Sequence, residues 1–192
     1  MDMLFIGEGS LYSSMAASYV SERIPGARVV LWDHGQPMPQ LGEWTGDWIV
    51  CFKADLILPS TLLSRARMGA INIHPAPPRY RGIGGYVYAI YNEDDSFGIT
   101  CHHIVERIDF GSIITVDEFP IFPSDTTSTL QHRAASRCLL RLYDLIEQII
   151  SGLPMPASER TWIGPLYTRK KLDVFLAQVQ EDHPDHDHRC LK

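Results

Sequence analysis

The sequence predicts an α/β protein built on an open, mostly parallel, Rossmann-like sheet with helices on both faces. Three observations carry that prediction. Short apolar segments alternate along the chain with segments of helical period. One of them, DWIVCFK from Asp47 to Lys53, is almost wholly apolar, as a strand covered on both faces must be. The turns that follow carry glycine, proline and serine, the residues that end strands and start helices.

Taken in order, MLFIGEGS is a strand followed by a glycine turn. Residues 12–24 place apolar side chains at helical spacing until Pro25-Gly26 stops them. ARVVLWD is a second strand, and HGQPMPQLGEWTG is a loop, so the N-terminal half is compact. DWIVCFK is the third strand. LPSTLLSRARMG reads as a short helix, capped by Ser60 and ended by Gly69. AINIHPA is the next strand, and residues 85–92 form another helix. GITCHHIVERI and SIITVDEFPI are strands flanking Asp109-Phe110-Gly111. TTSTLQHRAASRCLLRLYDLIEQIIS is the longest helix, ended by Gly152 and Pro154. The whole reads as one domain over residues 1–178, with a polar, His-rich and disordered tail over 179–192.

Bulk composition narrows the function classes. The chain has 192 residues, 45% hydrophobic and 21% charged, with a formal net charge of −6. That balance lacks the basic stripe of a general nucleic-acid binder. No apolar run approaches the roughly 20 residues that span a bilayer, and the acidic start is unlike a signal peptide. Cys51, Cys101, Cys138 and Cys190 form no CxxC pair. They read as three buried thiols and one tail residue in a reducing cytoplasm.

Several residues are candidates for chemistry. Asn72 and His74 are two apart in a strand, so their side chains share a face, at the end where open sheets place ligands. An amide beside an imidazole suits an oxyanion site, and it equally suits a hydrogen-bonded strand end. Asp109 either orients His74 or caps its turn. His102 and His103 are adjacent in a strand and face opposite ways, so they cannot share a metal, although one of them can face the site. GEGS offers the backbone N–H groups of Gly9 and Ser10 to a phosphate, or is a plain turn; Tyr12 stands where a GxGxxG motif needs its third glycine. Arg79, Tyr80 and Arg81 form a cationic loop that either grips an anion or is simply solvated.

In order, DLILP, INIHP, RYRG and GITCHHIVERIDFGSII resemble the formyltetrahydrofolate-dependent formyltransferases. The resemblance runs from about Asp47 to Ser151. It implies that Asn72, His74 and Asp109 are catalytic. It also implies that Leu56 and Leu58 on one side, and Val105, Glu106 and Arg107 on the other, bind the folate. The implied reaction moves a formyl group from formyltetrahydrofolate to a primary amine, without a metal. Three departures matter: a shorter Ala76-Pro77-Pro78 where many relatives carry SLLP, a compressed region before the third strand, and no second domain. HPAPPRYRGIG, PIFPSD and YTRKKLD look most like members acting on amino sugars linked to nucleotides, with Gly9, Ser10, Arg79, Tyr80 and Arg81 as acceptor contacts. Glycinamide ribonucleotide is the alternative acceptor and a non-catalytic folate- or nucleotide-binding module the alternative role. Acidic charge and small size weigh against tRNA. A homodimer stays open.

Overall fold

The computed structural model describes residues 1–182. In chain order the elements are β1 (Met3–Gly7), α1 (Leu11–Arg23), β2 (Arg28–Leu31), β3 (Gly46–Phe52), α2 (Ser60–Leu63), β4 (Ala66–His74), β5 (Arg81–Gly82), α3 (Gly85–Tyr91), β6 (Ser96–His103), β7 (Ile113–Pro120), α4 (Thr127–Ile150), β8 (Leu166–Tyr167) and α5 (Arg169–Asp182). Six strands form one sheet in the order β2-β1-β3-β4-β6-β7. The first four run parallel, while β6 is antiparallel to β4 and β7 to β6. This is the mostly parallel α/β sheet that the alternation predicts.

Alternation along each strand sorts the core into two layers. Met3, Phe5, Trp48, Val50, Phe52, Ile71 and Ile73 pack with Val20 of α1, Val87 of α3 and Leu142 of α4. Leu4, Ile6, Ile49, Cys51 and Ala70 face the other way, toward Trp32, Leu41, Trp44, Leu56, Leu58 and Leu62. Both faces carry a helix, but unequally. Among the described residues, the second face is covered by the four-residue α2 and by the loops on either side of β3. Asn72 and His74 alternate with Ile71 and Ile73, so they lie on this thinly covered face.

Local expectations differ from the structure in several places. The helix expected over 58–69 shrinks to α2, because residues 66–69 pair with β3 and extend β4 backwards. Ser60 begins α2 rather than capping it; Pro59 is the N-cap, with no side-chain bond. The strand expected over 98–108 stops at His103, after which the Ile104 N–H turns to the Ala70 carbonyl. The β5–β8 pair and α5 had no counterpart in the sequence reading. Of the expected tail, residues 179–182 belong to α5 and the rest lie outside the described residues.

Cys51, Cys101 and Cys138 are free and buried, and burial pushes the Cys51 and Cys101 thiols up to about 12. Cys190 lies outside the described residues. Among the described residues, no helix is long and apolar enough to cross a membrane.

Candidate active site

The site grows from the point where β4 runs out of partners. Its pairing with β6 ends at His74 opposite Thr100, and Pro75 has no N–H to continue the ladder. Asn72 lies opposite His102 in that ladder, which brings a second imidazole to the same place. The chain after β6 then returns Asp109, whose φ of 43° lies in the left-handed region. Aspartate tolerates that region better than most residues, and the conformation is held from outside. Arg81 donates through Nε to the Asp109 carbonyl at 2.8 Å and through Nη2 to the Ile108 carbonyl at 2.9 Å. The Gly82 N–H donates to Asp109 Oδ2 at 2.7 Å. Gly82 has a φ of 86°, and a Cβ there would stand 2.1 Å from the Tyr167 carbonyl oxygen, so only glycine fits.

Asp109 sits between two imidazoles. His74 Nδ1 is 3.5 Å from Oδ2, and His102 Nε2 is 3.3 Å from Oδ1. His74 Nε2 lies 2.8 Å from the Tyr80 carbonyl, and His102 Nδ1 lies 2.8 Å from the His103 carbonyl. Burial alone would push the Asp109 carboxyl up. His74, the His102 hydrogen bond and charge, and the Gly82 N–H together outweigh it and hold the group well below the usual carboxylate range. Asn72 Nδ2 is 3.2 Å from His102 Nε2, while Asn72 Oδ1 is buried without a hydrogen-bond partner. Trp162 seals the cluster. Its ring stands edge-on to His102 at 4.8 Å, and its Nε1–H donates to the Gly111 carbonyl at 2.7 Å.

These side chains open into a cavity of about 440 Å³. Its lining includes Leu56, Leu58, Ile104, Val105, Glu106 and Arg107, and also Glu8, Lys53, Tyr86, Gln131, Thr168 and Arg169. Lys53 is a buried lysine with a φ of 52°, and its Nζ is ion-paired to Glu8 Oε1. Among the described residues, no group of His, Cys, Asp and Glu side chains is arranged to hold a metal ion.

The structure thus brings together Asn72, His74 and Asp109, and Leu56, Leu58, Val105, Glu106 and Arg107 line the same cavity. It does not put the five expected acceptor contacts there. Arg81 is 5% exposed and spends its donors on the Asp109 loop. Arg79 pairs with Asp94 at 3.0 Å and also donates to the Ser96 carbonyl. Tyr80 is 4% exposed, packs against Tyr88, Phe97 and Tyr167, and donates its hydroxyl to Asp94 at 2.7 Å. The Gly9 N–H already donates to Asp33 Oδ1 at 2.8 Å, so a carboxylate occupies the place expected for a phosphate. Ser10 caps α1 by accepting from the Ser13 N–H at 3.3 Å. Of the two adjacent histidines left open as site-facing, the structure turns His102 to the cavity; sequence reasoning missed Trp162 against His102 and the Glu8–Lys53 pair. For His102 the signal existed, since its parity places it on one face with Thr100; for the others it did not.

The formyl transferase family model matches residues 37–138, which include Asn72, His74 and Asp109. The chain belongs to this family. A GDP-perosamine N-formyltransferase of Brucella melitensis is 30% identical over 109 residues, 56% of this chain and 42% of that protein. A methionyl-tRNA formyltransferase of Lactiplantibacillus plantarum is 33% identical over 154 residues, 77% of this chain and 49% of that protein. This formyl transferase chain therefore spans less than half the length of either relative. Among solved structures, an N-formyltransferase from Helicobacter canadensis, in complex with folinic acid and dTDP-3-aminofucose, shares the fold with a TM-score of 0.69 at 18% identity, covering 89% of this chain and 72% of that one.

Proposed function

We propose that the chain transfers a formyl group from formyltetrahydrofolate to the primary amine of an amino sugar carried on a nucleotide. The observation that carries this reading is the Asn72–His74–Asp109 cluster opening into a cavity lined by both apolar and charged side chains. The apolar lining of Leu56 and Leu58 suits a pterin, and the polar lining of Glu8, Lys53 and Tyr86 suits a hydroxylated acceptor. The name of the Brucella relative and the ligands named for the Helicobacter complex support a folate donor and a nucleotide-linked amino sugar as acceptor. Three buried free thiols fit a reducing compartment, and so the cytoplasm.

In this reading the amine nitrogen attacks the formyl carbon, the carbon–nitrogen bond to the folate breaks, and the departing folate nitrogen takes up the proton that the amine loses. Asn72 donates its amide N–H to the developing oxyanion. His74 has both ring nitrogens committed, to the Tyr80 carbonyl and to Asp109, so it contributes positive charge rather than a free N–H. Asp109 balances that charge and relays the amine's proton through water. Positioning two reactants beside these groups supplies much of the rate.

Glycinamide ribonucleotide is disfavoured by the same geometry, because Glu8 lines the cavity and Asp33 holds the Gly9 N–H where its phosphate was expected. The test offers formyltetrahydrofolate with GDP-perosamine, dTDP-3-aminofucose, glycinamide ribonucleotide and methionyl-tRNA, and reads formyl addition by mass. An amino sugar nucleotide gains the formyl group, and Asn72→Ala lowers kcat roughly a hundredfold without unfolding the chain. Formylation of glycinamide ribonucleotide or tRNA alone, or full activity in Asn72→Ala, overturns the reading.

A further inference from the structure

Lys53 breaks the alternation of its strand. Cys51 shares a layer with Leu4 and Ile6, Phe52 shares one with Phe5, and Lys53 should follow Cys51. Its φ of 52° lies instead in the left-handed region, which residues with a Cβ rarely adopt. Its ammonium stands 5.9 Å from the centre of the Tyr12 ring, and Tyr12 packs with the Phe52 layer. The strained backbone thus carries the lysine over the strand ends toward α1, where its side chain is 5% exposed. A buried ammonium needs all three of its N–H groups satisfied. Among the described residues it makes one hydrogen bond, to Glu8 Oε1. The Tyr12 face can take a second N–H. The third is left over, and Lys53 lines the cavity.

Two neighbours are left open in the same way. Among the described residues, Glu8 Oε2 accepts no hydrogen bond and the Tyr86 hydroxyl makes none, and both side chains line the cavity. Burial, and then the charges of Glu8 and Asp55, push the Tyr86 phenol up, so it keeps its hydrogen. Glu8 follows β1, Lys53 follows β3 and His74 ends β4, and these three strands are neighbours in the sheet. The Lys53 N–H donates to the Ile73 carbonyl at 3.2 Å, which ties Lys53 beside the Asn72–His74 stretch. Measured across the sheet, the pair stands one to two strand widths, roughly 5 to 10 Å, from His74. That is the reach of a single sugar ring.

Charge decides what the ligand of these open groups is. Glu8 and Lys53 cancel as a pair, so a phosphate or carboxylate would lose to the one what it gains from the other. A hydroxyl donates and accepts at once, and so fits both. It gives its hydrogen to Glu8 Oε2 and takes one from Lys53 or Tyr86. We infer that Glu8, Lys53 and Tyr86 form a subsite that reads the hydroxyl next to the amine of the acceptor sugar, with Lys53 as the residue that sets this specificity. The placing of the amine beside Asn72 and His74 rests on the formyl-transfer reading. The nucleotide then lies farther out, and its phosphates do not depend on this pair. An acceptor that lacks the hydroxyl is rejected, because it leaves the spare N–H and the carboxylate oxygen unpaired.

The experiment is calorimetry of the intact chain, without donor. The ligands are GDP-perosamine, dTDP-3-aminofucose and an analogue of each deoxygenated next to the amine. The wild type binds at least one parent about tenfold or more tighter than its analogue, as befits a hydrogen bond to a charged group. In Lys53→Gly that ratio drops below about threefold. Glycine adopts a φ of 52° freely, and Glu8 is 31% exposed, so the variant stays folded; urea denaturation checks this. Glu8→Gln lowers the ratio as well, because an amide holds the ammonium less firmly than a carboxylate. Equal binding of parent and analogue by the wild type overturns the inference, and so does a ratio unchanged in either variant. If Lys53→Gly weakens parent and analogue alike, the lysine holds a phosphate instead. No binding of either parent overturns it too, while formyl transfer to another amine would still register by mass. Failure of the formyl-transfer reading looks different: the wild type shows the ratio but gives no product once formyltetrahydrofolate is added.

Discussion

The loops after β4 and β6 both carry arginine beside an aromatic ring, yet they use it in opposite ways. After β4, Arg81 is 5% exposed and donates to the carbonyls of Ile108 and Asp109. After β6, Arg107 is exposed, lines the cavity and lies 3.6 Å from the centre of the Phe110 ring. The difference is what each guanidinium can reach. Arg81 faces a turn with unpaired carbonyls, and a guanidinium satisfies carbonyls without leaving a buried donor unused. Arg107 faces open cavity, with an aromatic surface to rest on. Charge in a sequence therefore does not by itself mark a ligand site. The carbonyls that a loop leaves unpaired decide whether its arginines become framework.

The sharpest way to break this comparison is Arg81→Met, which keeps bulk and removes the donors. It strands two carbonyls and loosens the loop that holds Asp109 at its left-handed φ. A loss of about 3 kcal/mol follows from the two charge-assisted bonds. Urea denaturation measures it, and kcat falls at the same time because Asp109 loses its support. A midpoint that stays put would make Arg81 a surface residue after all.

Arg79→Ala is a milder case. Its ion pair with Asp94 is about a third exposed, so solvent screening discounts it, and about 1 kcal/mol of destabilisation is expected. Asp94 also accepts from the Tyr80 hydroxyl, so the loss is shared with that core ring. The acceptor KM stays within about twofold, since Arg79 does not line the cavity. A large rise in acceptor KM with unchanged stability would return Arg79 to the binding site.

Much of this was legible in the sequence, for reasons that can be named. Periodicity fixed the strands of the sheet, and the two-residue spacing of Asn72 and His74 fixed their common face. The Asp109 position was legible from the family pattern. The roles of Arg79, Tyr80 and Arg81 were not, because their partners, Asp94 and the Ile108 and Asp109 carbonyls, are set by tertiary contact. Gly9 misled for a similar reason: Asp33, 24 residues away, takes its N–H, and no local rule reports that. The Glu8–Lys53 pair joins the ends of β1 and β3, and becomes visible only once those strands are known to be neighbours.

A third expectation uses an arginine remote from either loop. Arg23 and Tyr19 hydrogen-bond Glu147, and these bonds, with Arg23 the stronger, hold the Glu147 carboxyl down from 4.5 to about 2. A depressed carboxylate stabilises the fold above its ordinary pKa and loses that contribution as pH falls through the lowered one. Unfolding midpoints measured between pH 4.5 and about 2 should fall less steeply in Glu147→Gln than in the wild type. Equal slopes would mean that this exposed pair is not maintained in solution.

The smallest effect on stability belongs to Arg107→Ala, and it sharpens the comparison from the other side. Arg107 gains its exposed contact with Phe110, worth about 0.5 kcal/mol. The urea midpoint should therefore barely move. What changes is the donor. A folate carries a glutamate tail with two carboxylates, and Arg107 stands on the cavity wall assigned to the folate. Arg107→Ala should raise the KM for formyltetrahydrofolate several-fold, with less effect at high salt because the contact is partly screened. A donor lacking the glutamate tail should not feel the substitution. If both donors lose affinity equally, Arg107 shapes the pocket instead of reading charge. If neither does, the exposed arginine of this loop is as silent as the buried one is structural, and orientation toward a cavity would tell no more about ligands than charge does.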